Sequence, residues 1–118
     1  MNVILKTERL TLRPVKIDDT EAIHQLHSIE EVDQYNTLGI PENIEVTVLH
    51  VKDLVKSNQG EQPQAYTFVI ENDNQFAGLI SLNLGRAKYK NAEIWFKLHP
   101  DFWNKGIATE ALKEIISF

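Results

Sequence analysis

Ala92-Glu93-Ile94-Trp95-Phe96-Lys97-Leu98-His99-Pro100-Asp101-Phe102-Trp103-Asn104-Lys105-Gly106-Ile107-Ala108-Thr109-Glu110-Ala111-Leu112 is the stretch whose reading decides the fold. In its first half, Ala92, Ile94, Phe96 and Leu98 alternate with Glu93, Trp95, Lys97 and His99, the two-residue period of a strand with its apolar set inward. In its second half, Ala108, Ala111, Leu112 and then Ile115 recur at helical spacing, and the helix is predicted from Ile107 to Phe118. Between them lies a turn centred on Gly106. A strand that feeds such a turn into a helix start gathers backbone N–H groups at one point, and an anion, phosphate above all, is what those groups hold.

Working back from that stretch, Ala65 to Glu71 and Phe76 to Leu84 are two further strands. Asn72-Asp73-Asn74 between them is a turn cluster, so the pair is predicted to be an antiparallel hairpin. Phe76, Ile80, Leu82 and Leu84 are expected to share one face. Gly85 to Lys90 is the next turn. Thr7 to Arg13 alternates as a half-buried strand with Leu10 and Leu12 inward and Pro14 as its stop. Asp18 or Asp19 then caps a helix carrying Ala22, Ile23 and Leu26 on one face. From Asn43 to Lys56, Ile44, Val48, Val51 and Val55 mark a second helix, with Ser57-Asn58-Gln59-Gly60 as its stop. The order is β-α-α-β-β-β-α, without repeats, linkers or low-complexity tracts, and reads as one domain over residues 1–118.

The 118 residues are 42% hydrophobic and 25% charged, enough apolar material for one globular core. A net charge of −5 supplies no basic face for nucleic acid, and mildly favours cationic or neutral partners such as amines. With no cysteine, disulfides, thiolate metal sites and cysteine nucleophiles are excluded. The N-terminal run Met1-Asn2-Val3-Ile4-Leu5-Lys6 lacks a signal pattern, and no apolar stretch approaches the roughly 20 residues that span a bilayer. The cytoplasm is the expected location, with no membrane and no nucleic acid as partner. The chain stops at Phe118 in the middle of an apolar helical face, so it reads as the N-terminal portion of a longer domain.

The strand Ala92–Pro100 running into Phe102-Trp103-Asn104-Lys105-Gly106-Ile107-Ala108-Thr109-Glu110-Ala111 resembles the acetyl-CoA signature of the GNAT superfamily of N-acetyltransferases. Thr7-Glu8-Arg9-Leu10-Thr11-Leu12-Arg13-Pro14, followed by Asp18-Asp19, resembles the opening of the branch typified by ribosomal-protein N-terminal acetyltransferases. Phe76-Ala77-Gly78-Leu79-Ile80-Ser81-Leu82 resembles that family's third strand, with its Gly-x-Ile. The similarity runs from Thr7 to Phe118 in the family's order. Trp103 departs from the Gln or Arg that opens the general signature, and Asn104 stands where the branch often has glycine.

The resemblance implies an α/β (α+β) acyl-CoA N-acyltransferase fold: a mixed, mostly antiparallel sheet with helices on both faces, continuing beyond this chain into another strand, a helix and two closing strands. It implies acetyl-CoA as co-substrate, no metal, and transfer of acetyl to a primary amine, either a protein N-terminus or a small amine. Trp103, Asn104, Lys105, Gly106, Ile107 and Ala108 would form the diphosphate turn, Lys105 adding a cation. The backbone of Phe96 to Leu98 would pair with the pantetheine arm as an added strand. Glu93 is the best internal candidate for the general base, directly or through water, although a solvent-facing strand glutamate pairing with Lys97 across one pleat is the favoured plain reading. A different class of function stays open: an acyl-CoA-binding, regulatory module without catalysis.

Other polar residues read more plainly. His24 and His27 lie three apart on the first helix but lack a third metal ligand at a telling spacing. His50 reads as a solvated helix residue and His99 as a turn residue, with proton shuttling the lesser reading. Glu30, Glu31 and Asp33 form an acidic cluster that is a solvated helix end or an attraction for a cationic acceptor. Glu110 favours the helix dipole. An unfinished sheet edge invites pairing, so a homodimer is an expected partner arrangement.

Overall fold

The computed structural model describes residues 4–29, 43–59, 65–83, 93–103 and 105–116. Strands β1 (Leu5–Lys6), β2 (Leu10–Pro14), β3 (Ala65–Asn72), β4 (Gln75–Asn83) and β5 (Glu93–Leu98) form a sheet of order β1-β2-β3-β4-β5. All four pairings are antiparallel. Helices α1 (Thr20–His27) and α2 (Ile44–Gln59) cover one face. Helix α3 (Ile107–Ile116) covers the other.

The two faces have separate cores. Under α3, Leu10, Leu12, Phe68, Ile70, Ala77, Ile80 and Leu98 meet Ile107, Ala111 and Ile115 of the helix. Under α1 and α2, Val15, Val69 and Leu79 meet Ile23, Leu26 and Val51. Leu10 and Leu12 point inward as their alternation predicts, and the strand extends to include Pro14. Pro14 does not stop the pairing as expected: it stands opposite Phe68, and the next residue, Val15, still donates its N–H to the Thr67 carbonyl at 3.3 Å.

The β3–β4 hairpin turns on Asp73 and Asn74, both at positive φ (52° and 65°). Two successive left-handed residues make the tight hairpin turn whose twist matches the flanking strands, and Asp and Asn tolerate that conformation. One residue on, pairing jumps from Glu71 with Phe76 to Ile70 with Gly78, leaving Ala77 as a bulge. The bulge corrects one expectation. Phe76 packs with the α1–α2 core while Ile80 and Leu82 pack under α3, because one extra residue switches the face of everything before it. At Gly78 a Cβ would lie 1.9 Å from the Lys97 carbonyl oxygen, so this glycine is what lets β4 and β5 approach.

Three other details differ from the sequence reading. Asp19 makes no side-chain cap to α1. It takes two bonds from Arg13 (2.7 and 2.9 Å) and one from the Lys16 N–H at 2.8 Å, holding the short 3-10 turn Ile17–Asp19 against β2. Beside Asp19 and Glu71 the Arg13 guanidinium is held more firmly protonated than usual, chiefly by its bond to Asp19. On α2 the buried stripe is Thr47, Val51 and Asn58, and Ile44 is exposed. Asn58, expected in a stop signal, is a buried helical residue. Its side chain donates to the Thr67 carbonyl at 2.9 Å and accepts from the Thr67 N–H at 2.8 Å. That satisfies the β3 backbone just beyond the point where β2 ends.

Candidate active site

Strand β5 reaches the Gly106 turn through His99, which opens a 3-10 turn over Pro100–Phe102 and accepts the Asp101 N–H on Nδ1 at 3.1 Å. Its ring meets Phe102 edge-on, so His99 is the turn residue expected. Trp103 follows, half-buried against both cores, and its indole N–H donates to the Leu98 carbonyl at 2.9 Å. Strand end and turn are thereby stitched together.

Gly106 has φ +74°. A Cβ at this position would find only the Arg9 guanidinium within range, at 3.5 Å, which is ordinary contact. The glycine is therefore required by backbone conformation, because a left-handed residue must stand where the chain turns into α3. The Gly106 carbonyl accepts the Glu110 N–H at 3.0 Å, the first bond of the helix. The N–H groups of Gly106, Ile107 and Ala108 have no acceptor among the described residues, as the first turn of a helix leaves its donors. Lys105 and Gly106 are exposed, Ala108 is half-buried, and the Ile107 side chain is buried in the core, so Ile107 offers its backbone alone. The Lys105 ammonium stands 5.9 Å from the Phe102 ring centroid. Asn104 lies outside the described residues, as do Glu30, Glu31 and Asp33.

Strand β5 is the last strand of the sheet among the described residues. The His99 N–H donates to the Ala77 carbonyl at 2.8 Å, so by alternation the odd residues of β5 face β4. Phe96 and Leu98 turn their backbone groups to the free edge, and the Leu98 carbonyl there is taken by Trp103. The side chains reverse the sequence reading. Phe96 is 43% exposed, whereas Lys97 is 7% exposed. Alternation assumes one wet face, but β5 is covered on both. Leu98 and Ile94 pack under α3, Trp95 and Lys97 lie toward α1 and α2, and Phe96 sits at the rim. Glu93 opens β5 opposite Asn83, and its side chain lies outside the described residues.

Lys97 belongs to a polar cluster that the sequence reading missed. Its ammonium is 3.5 Å from Nε2 of buried His27 and 5.7 Å from the Trp95 ring. The His27 ring in turn meets His50 at 5.4 Å between centroids. His24 bonds Thr47 across the α1–α2 seam at 2.7 Å. Burial pushes His27 down to about 3, with the Lys97 charge adding to the effect. Burial and Lys97 lower His50 too, so His50 is a half-buried seam residue rather than a solvated one. The only signal in the sequence was the His24/His27 spacing. No group of three metal-ligating side chains occurs among the described residues, and no helix among them is long and apolar enough to cross a membrane.

Glu110 carries more than a dipole contact. Its carboxylate accepts the Thr7 hydroxyl, the Arg9 backbone N–H at 3.1 Å and Arg9 Nε at 2.8 Å. These bonds, the Thr7 one foremost, hold its pKa below the usual glutamate value.

With this geometry in hand, the comparisons agree. Residues 9–118 match the acetyltransferase (GNAT) domain family. The uncharacterized N-acetyltransferase YoaA of Bacillus subtilis is 28% identical over 115 residues, 98% of this chain and 65% of YoaA. The spermidine N(1)-acetyltransferase of Escherichia coli K12 is 31% identical over 102 residues, 86% of this chain and 52% of that enzyme. The apo crystal structure of RimL, a ribosomal L7/L12 alpha-N-protein acetyltransferase, superposes with TM-score 0.83 at 26% identity, covering 99% of this chain and 64% of RimL. The chain thus spans just under two thirds of the length of YoaA and of RimL. The family model spans residues 9–118, nearly the whole chain, and the chain belongs to the GNAT acetyltransferase family.

Proposed function

We propose that this domain binds acetyl-CoA at the Gly106 turn and transfers its acetyl group to a primary amine in the cytoplasm. The observation that carries the reading is the exposed left-handed Gly106 with the open N–H groups of Gly106, Ile107 and Ala108 around it. Three convergent donors and the positive end of a ten-residue helix suit a diphosphate. Trp103 and Lys105 stand beside that turn, and the sequence adds Asn104 as a candidate contact. Phe96 and Leu98 offer the β5 edge to the pantetheine arm, with the Leu98 N–H and both Phe96 backbone groups as the contacts, since Trp103 holds the Leu98 carbonyl. The co-substrate supplies the acetyl group already activated as a thioester. Glu93, at the start of that strand, takes the proton from the ammonium of the acceptor, directly or through water; the neutral amine then attacks the thioester carbonyl, the C–N bond forms as the C–S bond breaks, and CoA leaves as the thiolate, which takes up the proton the nitrogen loses.

The acceptor is either a protein N-terminus or a small amine, and relatives named for each kind support both. A homodimer would need an edge other than β5 in this reading. The opposite edge is β1, only two residues long, a poor template for pairing.

The test is calorimetric titration of the intact protein with acetyl-CoA, beside Gly106→Glu, followed by thiol release with peptides and small amines. Binding by the wild type and loss in the variant are expected. No binding by the wild type ends the cofactor assignment, and binding without turnover on any amine assigns the regulatory module instead. Glu93→Gln should lower kcat while leaving acetyl-CoA affinity unchanged.

A further inference from the structure

Arg9 sits just before β2, 101 residues from Glu110, yet makes three bonds to the turn and its helix. Nε and the backbone N–H go to the two oxygens of Glu110, at 2.8 and 3.1 Å. Nη1 donates to the Lys105 carbonyl at 2.8 Å. Nη2 lies beside Gly106. Thr7 braces the arrangement. Its hydroxyl donates to Glu110 and accepts the Leu10 N–H at 2.9 Å, while its own N–H donates to the Leu10 carbonyl, also at 2.9 Å. A side chain that binds both the helix and the loop before it fixes one against the other.

The bond to Lys105 has a geometric consequence. In a trans peptide the C=O and the next N–H point in opposite directions, and no cis peptide occurs among the described residues. Pinning the Lys105 carbonyl toward Arg9 therefore aims the Gly106 N–H away from Arg9. The Gly106 carbonyl is pinned likewise by the Glu110 N–H, at 3.0 Å, which aims the Ile107 N–H out of the helix start. Two successive peptides are thus held by their carbonyls so that their donors face outward. Arg9 also neutralises Glu110, a carboxylate in the first turn of the helix that would otherwise repel an anion placed there.

We infer that Arg9 is a positioning residue for the diphosphate turn: through the Lys105 carbonyl and Glu110 it orients the Gly106 and Ile107 N–H groups before ligand arrives. This rests on the reading that the turn holds the diphosphate of acetyl-CoA. Arg9 acts on donors without a diphosphate hardly at all, because S-acetylpantetheine reaches only the β5 edge. That separates orientation of the turn from general support of the fold.

The experiment measures CoA affinity by calorimetry, and KM for acetyl-CoA and S-acetylpantetheine, in the intact wild type, Arg9→Met, Arg9→Lys and Arg9→Met/Glu110→Gln. Arg9→Met is expected to weaken CoA binding about tenfold, equivalent to ~1.4 kcal/mol, and to raise KM for acetyl-CoA alike, with KM for S-acetylpantetheine unchanged. The double variant recovers part of the loss, since the uncompensated carboxylate is gone. Arg9→Lys keeps the charge without the fork, and falls between Arg9→Met and wild type. If Arg9→Met melts below the assay temperature, Arg9→Lys carries the same donor comparison. Wild-type binding with both single variants unchanged, or KM rising equally for both donors, overturns the inference. Failure of the wild type to bind CoA at all strikes the underlying reading instead.

Discussion

The two faces of the sheet are built differently. The face under α3 is closed by an all-apolar core of ten buried residues, and its polar contacts lie at the margin, where Thr7, Arg9 and Glu110 clamp the turn. The face under α1 and α2 has polar groups inside it. His27, Thr47, Asn58 and Lys97 are buried there with Val51, Leu26 and Ile23, and the Thr67 and Ser81 hydroxyls bond each other at 3.0 Å. An apolar face gains stability without directional demands, whereas a polar one must satisfy each group it hides. No buried side-chain polar atom among the described residues lacks a partner, so the second face meets that demand. The contrast teaches where rigidity and where responsiveness reside. The face that positions the turn is insensitive to pH in its interior, and the other carries titratable groups in its seam.

Breaking the sheet that separates the faces should have the largest effect. Gly78→Val places carbon within 1.9 Å of the Lys97 carbonyl oxygen and 2.9 Å of the Leu98 Cα, both backbone atoms. The expected outcome is loss of β5 pairing, seen as loss of cooperative thermal unfolding by circular dichroism. Next is a paired truncation. Phe68→Ala, in the core under α3, should cost about 3–5 kcal/mol by urea unfolding. Asn58→Ala, which strands the Thr67 N–H on the other face, should cost about 1–3 kcal/mol. Equal costs would erase the contrast.

The pH response sharpens the same comparison. His27 sits at about 3 when folded against an ordinary 6.5, so the unfolded chain takes its proton first. Its stabilising contribution is complete above pH 6.5 and is lost as pH falls from there toward 3. The groups facing it are Lys97 from β5, His50 from α2 and His24 from its own helix. His27→Gln should flatten the decline in melting temperature between pH 6.5 and 5. The smallest effect is expected from Lys97→Met. His27 should then titrate closer to 6.5 by NMR while staying below it, since burial is the larger cause.

What could be read in the sequence was whatever is local. The Asn72-Asp73-Asn74 hairpin, the inward Leu10 and Leu12, and the strand–turn–helix around Gly106 each depend on neighbours a few residues away. What could not be read depends on partners distant in sequence. The bulge at Ala77 moved Phe76 to the opposite core, and its one local sign, Gly78 inside the strand, does not say which residue is extra. Lys97 and Phe96 exchanged their expected environments because helices cover β5 on both faces. Ile44 points out and Thr47 in, since α2 rotates to let Asn58 reach β3. Of the site, the turn was legible from one short segment. Its clamp was not, because Arg9 and Thr7 lie at the other end of the chain with no spacing to betray them.

That separation of 101 residues also bears on how the molecule comes into being. During synthesis Arg9 leaves the ribosome long before Glu110 exists, and closing so wide a loop pays its entropy only once, late. The bond between Arg9 and Glu110 can therefore form only after Glu110 has been made, so the Gly106 turn acquires its brace later than the local β3–β4 hairpin can pair.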